Sequence, residues 1–308
     1  MTFESVMKIN VLLSTYNGEK YLREQLDSLL SQTATGVNII VRDDGSTDGT
    51  HAILNEYQSA GKLTWYAGPN KGCAKSFWDL VTTCPDADYY AFCDQDDYWH
   101  PDKLQIATDA LQKAGDTAVA RLYFSDVHVV DAQLGHISDG MVEKLPVDYA
   151  HSLIKNIAPG CTYVFNHAAR VLLRQYDCEQ YGIDIHDWMA YKIIVCFGEV
   201  VFDEMPHMDY RQHGNNVLGA SKTGIKAYFA ALRRFFGGVQ QNNRERCAKN
   251  LEACFGEQMS AEHRRLTRLM AHYREDKRIK QAILREPAFR FKGKKYRYFK
   301  FLIRMNKV

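Results

Sequence analysis

The chain has 308 residues, with 46% hydrophobic content, 25% charged residues and a net charge of +2. That is room for one large domain plus an extension, with an ordinary core. No stretch approaches the ~20 apolar residues of a membrane span, and no basic segment followed by an apolar run opens the chain, so a cytoplasmic protein is expected. None of the eight cysteines forms a C-x-x-C pair, which argues for reduced thiols and against a zinc site.

The elements are read in chain order. Ile9-Asn10-Val11-Leu12-Leu13 is a short apolar strand and ends in Ser14-Thr15-Tyr16-Asn17-Gly18. Tyr21, Leu22, Leu26, Leu29 and Leu30 then recur at helical spacing. The β-branched run Ile39-Ile40-Val41 is a second strand, followed by Arg42-Asp43-Asp44-Gly45-Ser46-Thr47-Asp48. Ile53, Leu54 and Tyr57 mark the next helix, and Asn70-Lys71-Gly72 precedes a helical run from Cys73 to Leu80. Tyr89-Tyr90-Ala91-Phe92-Cys93 is a buried aromatic strand that ends in Asp94-Gln95-Asp96-Asp97. Three strands thus end in polar loops with helices between them, a βαβαβ pattern with its chemistry on one edge. Carboxylates spaced i, i+2 at such an edge suit a hard cation such as Mg²⁺ or Mn²⁺, which completes its shell with water and phosphate.

Further on, Ala120-Arg121-Leu122-Tyr123-Phe124 is another strand, and residues 126–147 form a loop or hairpin around Gly135 and Gly140. Asn156 to Thr162, with Pro159 and Gly160, is a turn entering the strand Tyr163-Val164-Phe165. His186-Asp187-Trp188 opens a helical run through Val195, and a carboxylate at a helix start also has an N-cap explanation. From residue 220 the pattern is helical and basic, broken at Gly237-Gly238 and Pro287.

The ordered succession Ser14–Gly18, Asp43–Asp48, Asn70-Lys71-Gly72 and Asp94–Asp97 with Pro101, Lys103 and Leu104 resembles the family 2 glycosyltransferases of GT-A fold. The resemblance runs from about residue 8 to residue 219. The Gln within the acidic motif, His186-Asp187-Trp188, and Tyr210-Arg211-Gln212-His213-Gly214-Asn215-Asn216 are most similar to bacterial rhamnosyltransferases. The resemblance implies a Rossmann-like mixed sheet flanked by helices over residues 1–219, with a basic helical extension over 220–308. It implies a nucleotide pocket of Thr15, Tyr16, Asn17, Asp43, Asp44, Lys71, Asp94 and Gln95. Asp96 and His213 are the implied ligands of Mn²⁺ or Mg²⁺, and Asp187 the implied catalytic base. Asp97, Gly160, Trp188 and Arg211 border the donor and acceptor, Arg211 beside the leaving phosphates. The family usually has an acidic residue where His186 stands.

The implied activity is inverting sugar transfer from a nucleotide diphosphate, dTDP-L-rhamnose favoured, to an oligosaccharide or lipid-linked acceptor for a cell-surface polysaccharide such as O-antigen. Another UDP- or dTDP-sugar is the alternative donor, and a non-catalytic glycan-binding or assembly scaffold the alternative class. A nucleotidyltransferase is disfavoured by Ser14–Gly18, which is not a glycine- and basic-rich loop. The absence of G-x-G-x-x-G after a strand disfavours a dehydrogenase, and Gly68…Lys75-Ser76 has the wrong spacing for a phosphate-binding Walker loop.

The charge is unevenly placed. Residues 1–219 hold 16 Lys+Arg against 30 Asp+Glu, a net −14, and residues 220–308 hold 23 against 7, a net +16. An acidic body attracts a nucleotide diphosphate only with the help of a cation. Phe289 to Arg304 interleaves aromatics with cations, as suits the inner face of an anionic cytoplasmic membrane. Packing on the acidic body is the competing expectation, and no nucleic-acid partner is expected.

Overall fold

The computed structural model describes residues 7–141, 145–213, 243–292 and 294–308. The expected break at Gly237-Gly238 and the motif residues Gly214, Asn215 and Asn216 lie outside them. The chain divides into two compact units, Met1–Glu143 with Asn156–Arg211, and Lys144–Lys155 with Gln212–Val308.

The first unit is built on one mixed sheet. Its opening half alternates β1 (Ile9–Thr15), α1 (Leu22–Leu30), β2 (Val37–Asp43), α2 (Thr50–Ser59), β3 (Thr64–Ala67), α3 (Cys73–Thr83) and β4 (Tyr89–Cys93). β3, β2, β1 and β4 lie side by side and parallel. Residues of β1, β2 and β4 are buried on both faces of the sheet, which is why they read as unbroken apolar runs rather than alternating ones. Val11, Leu13, Ile39 and Val41 pack with Leu22, Leu26 and Leu29 of α1 and with Ile53 and Leu54 of α2.

The second half is β5 (Tyr98–Trp99), α4 (Lys103–Lys113), β6 (Arg121–Val130), β7 (His136–Asp139), β8 (Val164–Asn166), α6 (His167–Leu173), α7 (Cys178–Tyr181), α8 (His186–Phe197) and β9 (Glu199–Arg211). β8 joins β4 antiparallel, β6 follows, β9 runs parallel to β6, and β5 closes the order against β9. The expected strand at 120–124 runs on to Val130, and the expected hairpin is β6 with β7. The turn before β8 is a single 3-10 turn at Gly160–Thr162, and the strand is shifted one residue later than expected, to Val164–Asn166.

Register places the chemistry. Thr15 stands opposite Asp43, and Leu13 opposite Cys93. The three strands therefore end nearly level, and the loops that follow them share one edge of the sheet.

The second unit holds α5 (Tyr149–Ile154), α9 (Asn243–Phe255), α10 (Ala261–His272), α11 (Lys277–Arg285) and α12 (Lys294–Arg304). The sequence boundary at 219 lies outside the described residues. α5 precedes that boundary yet groups with the C-terminal helices, where the Tyr149 and Thr267 hydroxyls bond and His151 meets the Arg290 carbonyl. Phe255, Met270, Tyr273, Phe289, Phe299 and Ile303 form the buried interior of this unit. Two of the six expected membrane-facing aromatics, Phe289 and Phe299, are thus packed inside. Tyr298 and Phe301 on α12 and Met305 just after it are exposed, as are Arg297 and Arg304.

Candidate active site

At the end of β1, Thr15 donates its hydroxyl to Gln95 Oε1 at 2.6 Å, and the Tyr16 N–H donates to the same oxygen at 2.9 Å. The Gln95 amide returns a bond to the Tyr16 carbonyl at 3.2 Å. Gln95, inside the acidic motif, is therefore a clamp between two strand ends. The loops after β1 and β2 are stitched likewise. Asn17, held at φ 49, takes the Thr47 N–H at 2.8 Å and gives its own N–H to Ser46 at 2.8 Å. The Gly18 and Glu19 N–H groups donate to Thr50 and Asp48. Tyr16 is left exposed above this frame.

Asp43 and Asp44 are both buried. Burial alone pushes the Asp43 carboxyl up, but bonds from Ser46 and from His51 at 2.8 Å outweigh it and hold Asp43 below the ordinary range. Asp44 accepts from the Lys71 and Gly72 N–H groups, each at 2.8 Å, and pairs with the buried Arg42 guanidinium at 2.6 Å. Gly72 has φ 82, a turn that favours glycine, and it delivers those two N–H groups to Asp44. The Lys71 side chain reaches Glu179 and Asp79 at 3.8 and 4.0 Å and stays partly exposed.

Asp94, Asp96 and Asp97 gather at the end of β4. Burial, then the charges of Asp97, Asp96 and Asp187, push the Asp94 carboxyl well above the ordinary range. Burial and the Asp96 charge push Asp97 up to about 7. One Asp97 oxygen accepts the Arg211 main-chain N–H at 3.1 Å. The other is buried without a conventional hydrogen bond among the described residues, beside the Cys161 thiol. Ligand atoms of Asp94, Asp97 and Cys161 lie within 4.8 Å of one another. Asp96, expected to be the direct metal ligand, is outside this trio. Burial keeps the Cys161 thiol neutral, a poor ligand for a hard ion. The carboxylates fit Mg²⁺ or Mn²⁺, whose charge would relieve their mutual repulsion.

Two buried cations serve this loop. Lys103, at the start of α4, donates to the Cys161 carbonyl and sits over the Trp99 ring, 3.2 Å from its centre. Burial pulls its ammonium down to about 8. The sequence marked Lys103 only through its motif, since nothing local shows that a lysine beginning a helix points inward. Arg211 is buried: its guanidinium donates to the Asp96 carbonyl at 2.7 Å, to the Ala132 carbonyl at 2.8 Å, and to Glu24. These bonds make Arg211 a brace on the acidic loop. Its partners lie up to 187 residues away in sequence.

Asp187 lies in the first turn of α8, two residues inside the N-cap position, which Ile185 takes. One of its oxygens accepts the Gly160 N–H at 2.9 Å, the other the Trp188 N–H at 2.6 Å. A side chain at Gly160 would strike the Asp187 Cβ at 2.6 Å and approach His186 Nε2 at 3.1 Å, so glycine there lets Asp187 stand where it does. His186 stacks on Phe77 with ring centres 4.0 Å apart, and burial pulls its imidazole down to about 4. Trp188 is buried, with the Lys192 ammonium 3.5 Å from its ring centre. His213 follows Arg211 by two residues and belongs to the second unit.

The chain matches the family described as glycosyl transferase family 2 over residues 10–176, more than half its length. It is 31% identical to the dTDP-rhamnosyl transferase RfbG of Shigella flexneri over 232 residues, 71% of this chain and 78% of that protein. It is also 30% identical to the chondroitin synthase of Escherichia coli over 140 residues, 45% of this chain and 20% of that protein. Among solved structures, S. aureus TarS 1–349 with UDP superposes at TM-score 0.56 and 16% identity, covering 97% of this chain and 89% of that one. The same fragment with UDP-GlcNAc superposes at 0.57 and 14% identity, covering 98% and 93%. These structures share the fold.

In metal-free protein, Asp97→Asn should raise the melting temperature at pH 8, and the gain should shrink toward pH 4. The raised Asp97 carboxyl opposes folding increasingly as pH climbs from about 4 to about 7, and fully above that, and asparagine cannot ionise. Calorimetric scans in EDTA measure this, and a gain that is the same at every pH would show Asp97 to be uncoupled from its neighbours.

Proposed function

The chain belongs to glycosyl transferase family 2, and we propose that it is an inverting, metal-dependent enzyme moving L-rhamnose from dTDP-L-rhamnose to a carbohydrate or lipid-linked acceptor. The donor assignment rests on the similarity to a dTDP-rhamnosyl transferase. The observation that carries the catalytic reading is a fixed carboxylate beside an acidic strand edge. Asp187 is held by two N–H groups and lies close enough to Asp94 to raise its carboxyl.

In this reading Asp43 and the Thr15–Asn17 loop receive the base and ribose, and Asp44 holds the Lys71 turn near the phosphates. Asp94 meets the ribose or a water, and Asp96 would hold a divalent cation. Bound there, the cation supplies positive charge against the diphosphate. Each Asp187 oxygen accepts one N–H and keeps a lone pair. As the acceptor oxygen attacks the anomeric carbon, Asp187 takes the hydroxyl proton and the bond from that carbon to the diphosphate breaks. Arg211 acts as a positioning residue: its main-chain N–H and guanidinium fix Asp97 and the Asp96 carbonyl. Gly160 admits the sugar close to the backbone.

We further propose a peripheral place on the cytoplasmic membrane face, with a polysaccharide precursor as acceptor. No helix among the described residues is long and apolar enough to cross a membrane. Residues 277–308 contain 12 Lys+Arg and one acid, Glu286, which pairs with Arg265. The exposed Tyr298 and Phe301 of α12, with Met305 just after it, lie near Arg297 and Arg304 in the chain, a composition suited to anionic headgroups.

Calorimetric titration with dTDP should show affinity at least about tenfold weaker in EDTA than in Mn²⁺, a difference of about 1.4 kcal/mol. Asp96→Asn should abolish that difference, and equal affinity in both conditions for the unaltered chain would remove the metal from the mechanism.

Asp187→Asn should keep dTDP affinity and lose roughly 10²-fold or more in kcat, the size of a lost general base. Turnover near that of the unaltered enzyme would reduce Asp187 to a support for Gly160.

Tyr298→Ser with Phe301→Ser should release the protein from phosphatidylglycerol vesicles at low salt while transfer to a soluble acceptor continues. Unchanged sedimentation with vesicles would place the membrane contact elsewhere or nowhere.

A further inference from the structure

Away from the acidic edge, one group of side chains has the composition of a transition-metal site. His128 lies on β6, and His136 and Asp139 lie on β7. His128 Nδ1 and His136 Nε2 are 2.6 and 2.8 Å from the same Asp139 oxygen. The three ligand atoms all lie within 4.8 Å of one another, and the two rings meet edge to face at 5.9 Å.

The hairpin's irregularity brings them together. His128 is directly opposite Asp139, and the pairing slips between Val129 and Val130, so that Val130 faces His136. In a regular ladder Val130 would face Ile137, and the extra residue on β7 re-aims His136, as bulges do. The side chains are 35%, 58% and 67% exposed for His128, His136 and Asp139, so an ion reaches them without any opening of the core.

We propose that His128, His136 and Asp139 form a surface site for a borderline divalent cation of the zinc type, with water at the fourth position. Zinc takes imidazole nitrogen and carboxylate oxygen at about 2.0–2.2 Å in tetrahedral array, which sets its ligand atoms about 3.3 Å apart. The two histidine–aspartate distances stand inside that spacing and would open by about half an ångström to admit the ion. His100, whose ring centre is 5.8 Å from that of His128, is not the fourth ligand, because its Nε2 is engaged with Asp209 at 3.1 Å. Ligand chemistry separates this site from the carboxylate edge: imidazole suits zinc, nickel and copper, whereas an all-oxygen set suits magnesium and manganese. A bound ion would tie β7, at the margin of the sheet, to β6. β6 in turn pairs with β9 at Val130 and Arg211, the residue whose N–H holds Asp97.

The test is calorimetric titration of the full chain with ZnCl₂ in excess Mg²⁺, with melting curves beside it. One zinc equivalent should bind and raise the melting temperature. His136→Gln and Asp139→Asn change exposed side chains, and each should weaken that binding more than about tenfold, since even outer-shell changes around metals cost that much. Both should melt as the unaltered chain does in EDTA, and lose the zinc-induced rise. Absence of zinc binding in the unaltered chain, or equal binding in both variants through cysteine or other groups, would overturn the proposal.

Discussion

Asp94, Asp96 and Asp97 follow one buried strand within four residues of chain, where water is scarce and each ionised carboxylate makes the next harder to ionise. A loop of this kind does not hold itself in place. It is kept there from both sides: Gln95 is clamped to the β1 end, Arg211 grips the Asp96 carbonyl, and Lys103 lies buried on the far side of Cys161. The buried Lys103 ammonium offsets part of the charge on Asp94 and Asp97, but burial and their mutual repulsion outweigh it and keep both carboxyls raised.

How far the sequence could be read depended on the range of each interaction. The parallel half was legible because each strand is a short apolar run, each helix has its own periodicity, and each polar loop follows directly in the chain. The acidic motif and Asp187 were visible as residue types in order. The braces were not. Arg211 is separated from Asp97 by 114 positions, and its inward direction is set by tertiary packing. Gln95 could be named but not given its task, because a glutamine between aspartates carries no sign that it bonds backward to Tyr16. The tail shows a further limit: alternating aromatics and cations suggested one exposed surface, while helical geometry put Phe299 and Ile303 on one side and Tyr298 and Phe301 on the other.

The two carboxylates of the β2 loop show how one residue type divides its labour. Asp43 folds its own turn through Ser46 and His51, and Asp44 reaches across to the Lys71 turn and Arg42. Each is satisfied by protein groups alone, so the loop is preorganised. Less ordering then remains to be done by any molecule that binds against it.

The long reach of Arg211 also bears on how the protein is made. Strands β1 to β4 are close in sequence, and their pairings can form as soon as those residues are free, since short loops close at small entropic cost. The acidic loop is different, because β5 pairs with β9 and Arg211 arrives on the last residue of that strand. A nascent chain on the ribosome therefore lacks the Arg211 brace on its acidic edge until residue 211 has emerged. The last tie on that edge arrives with the strand that completes the sheet.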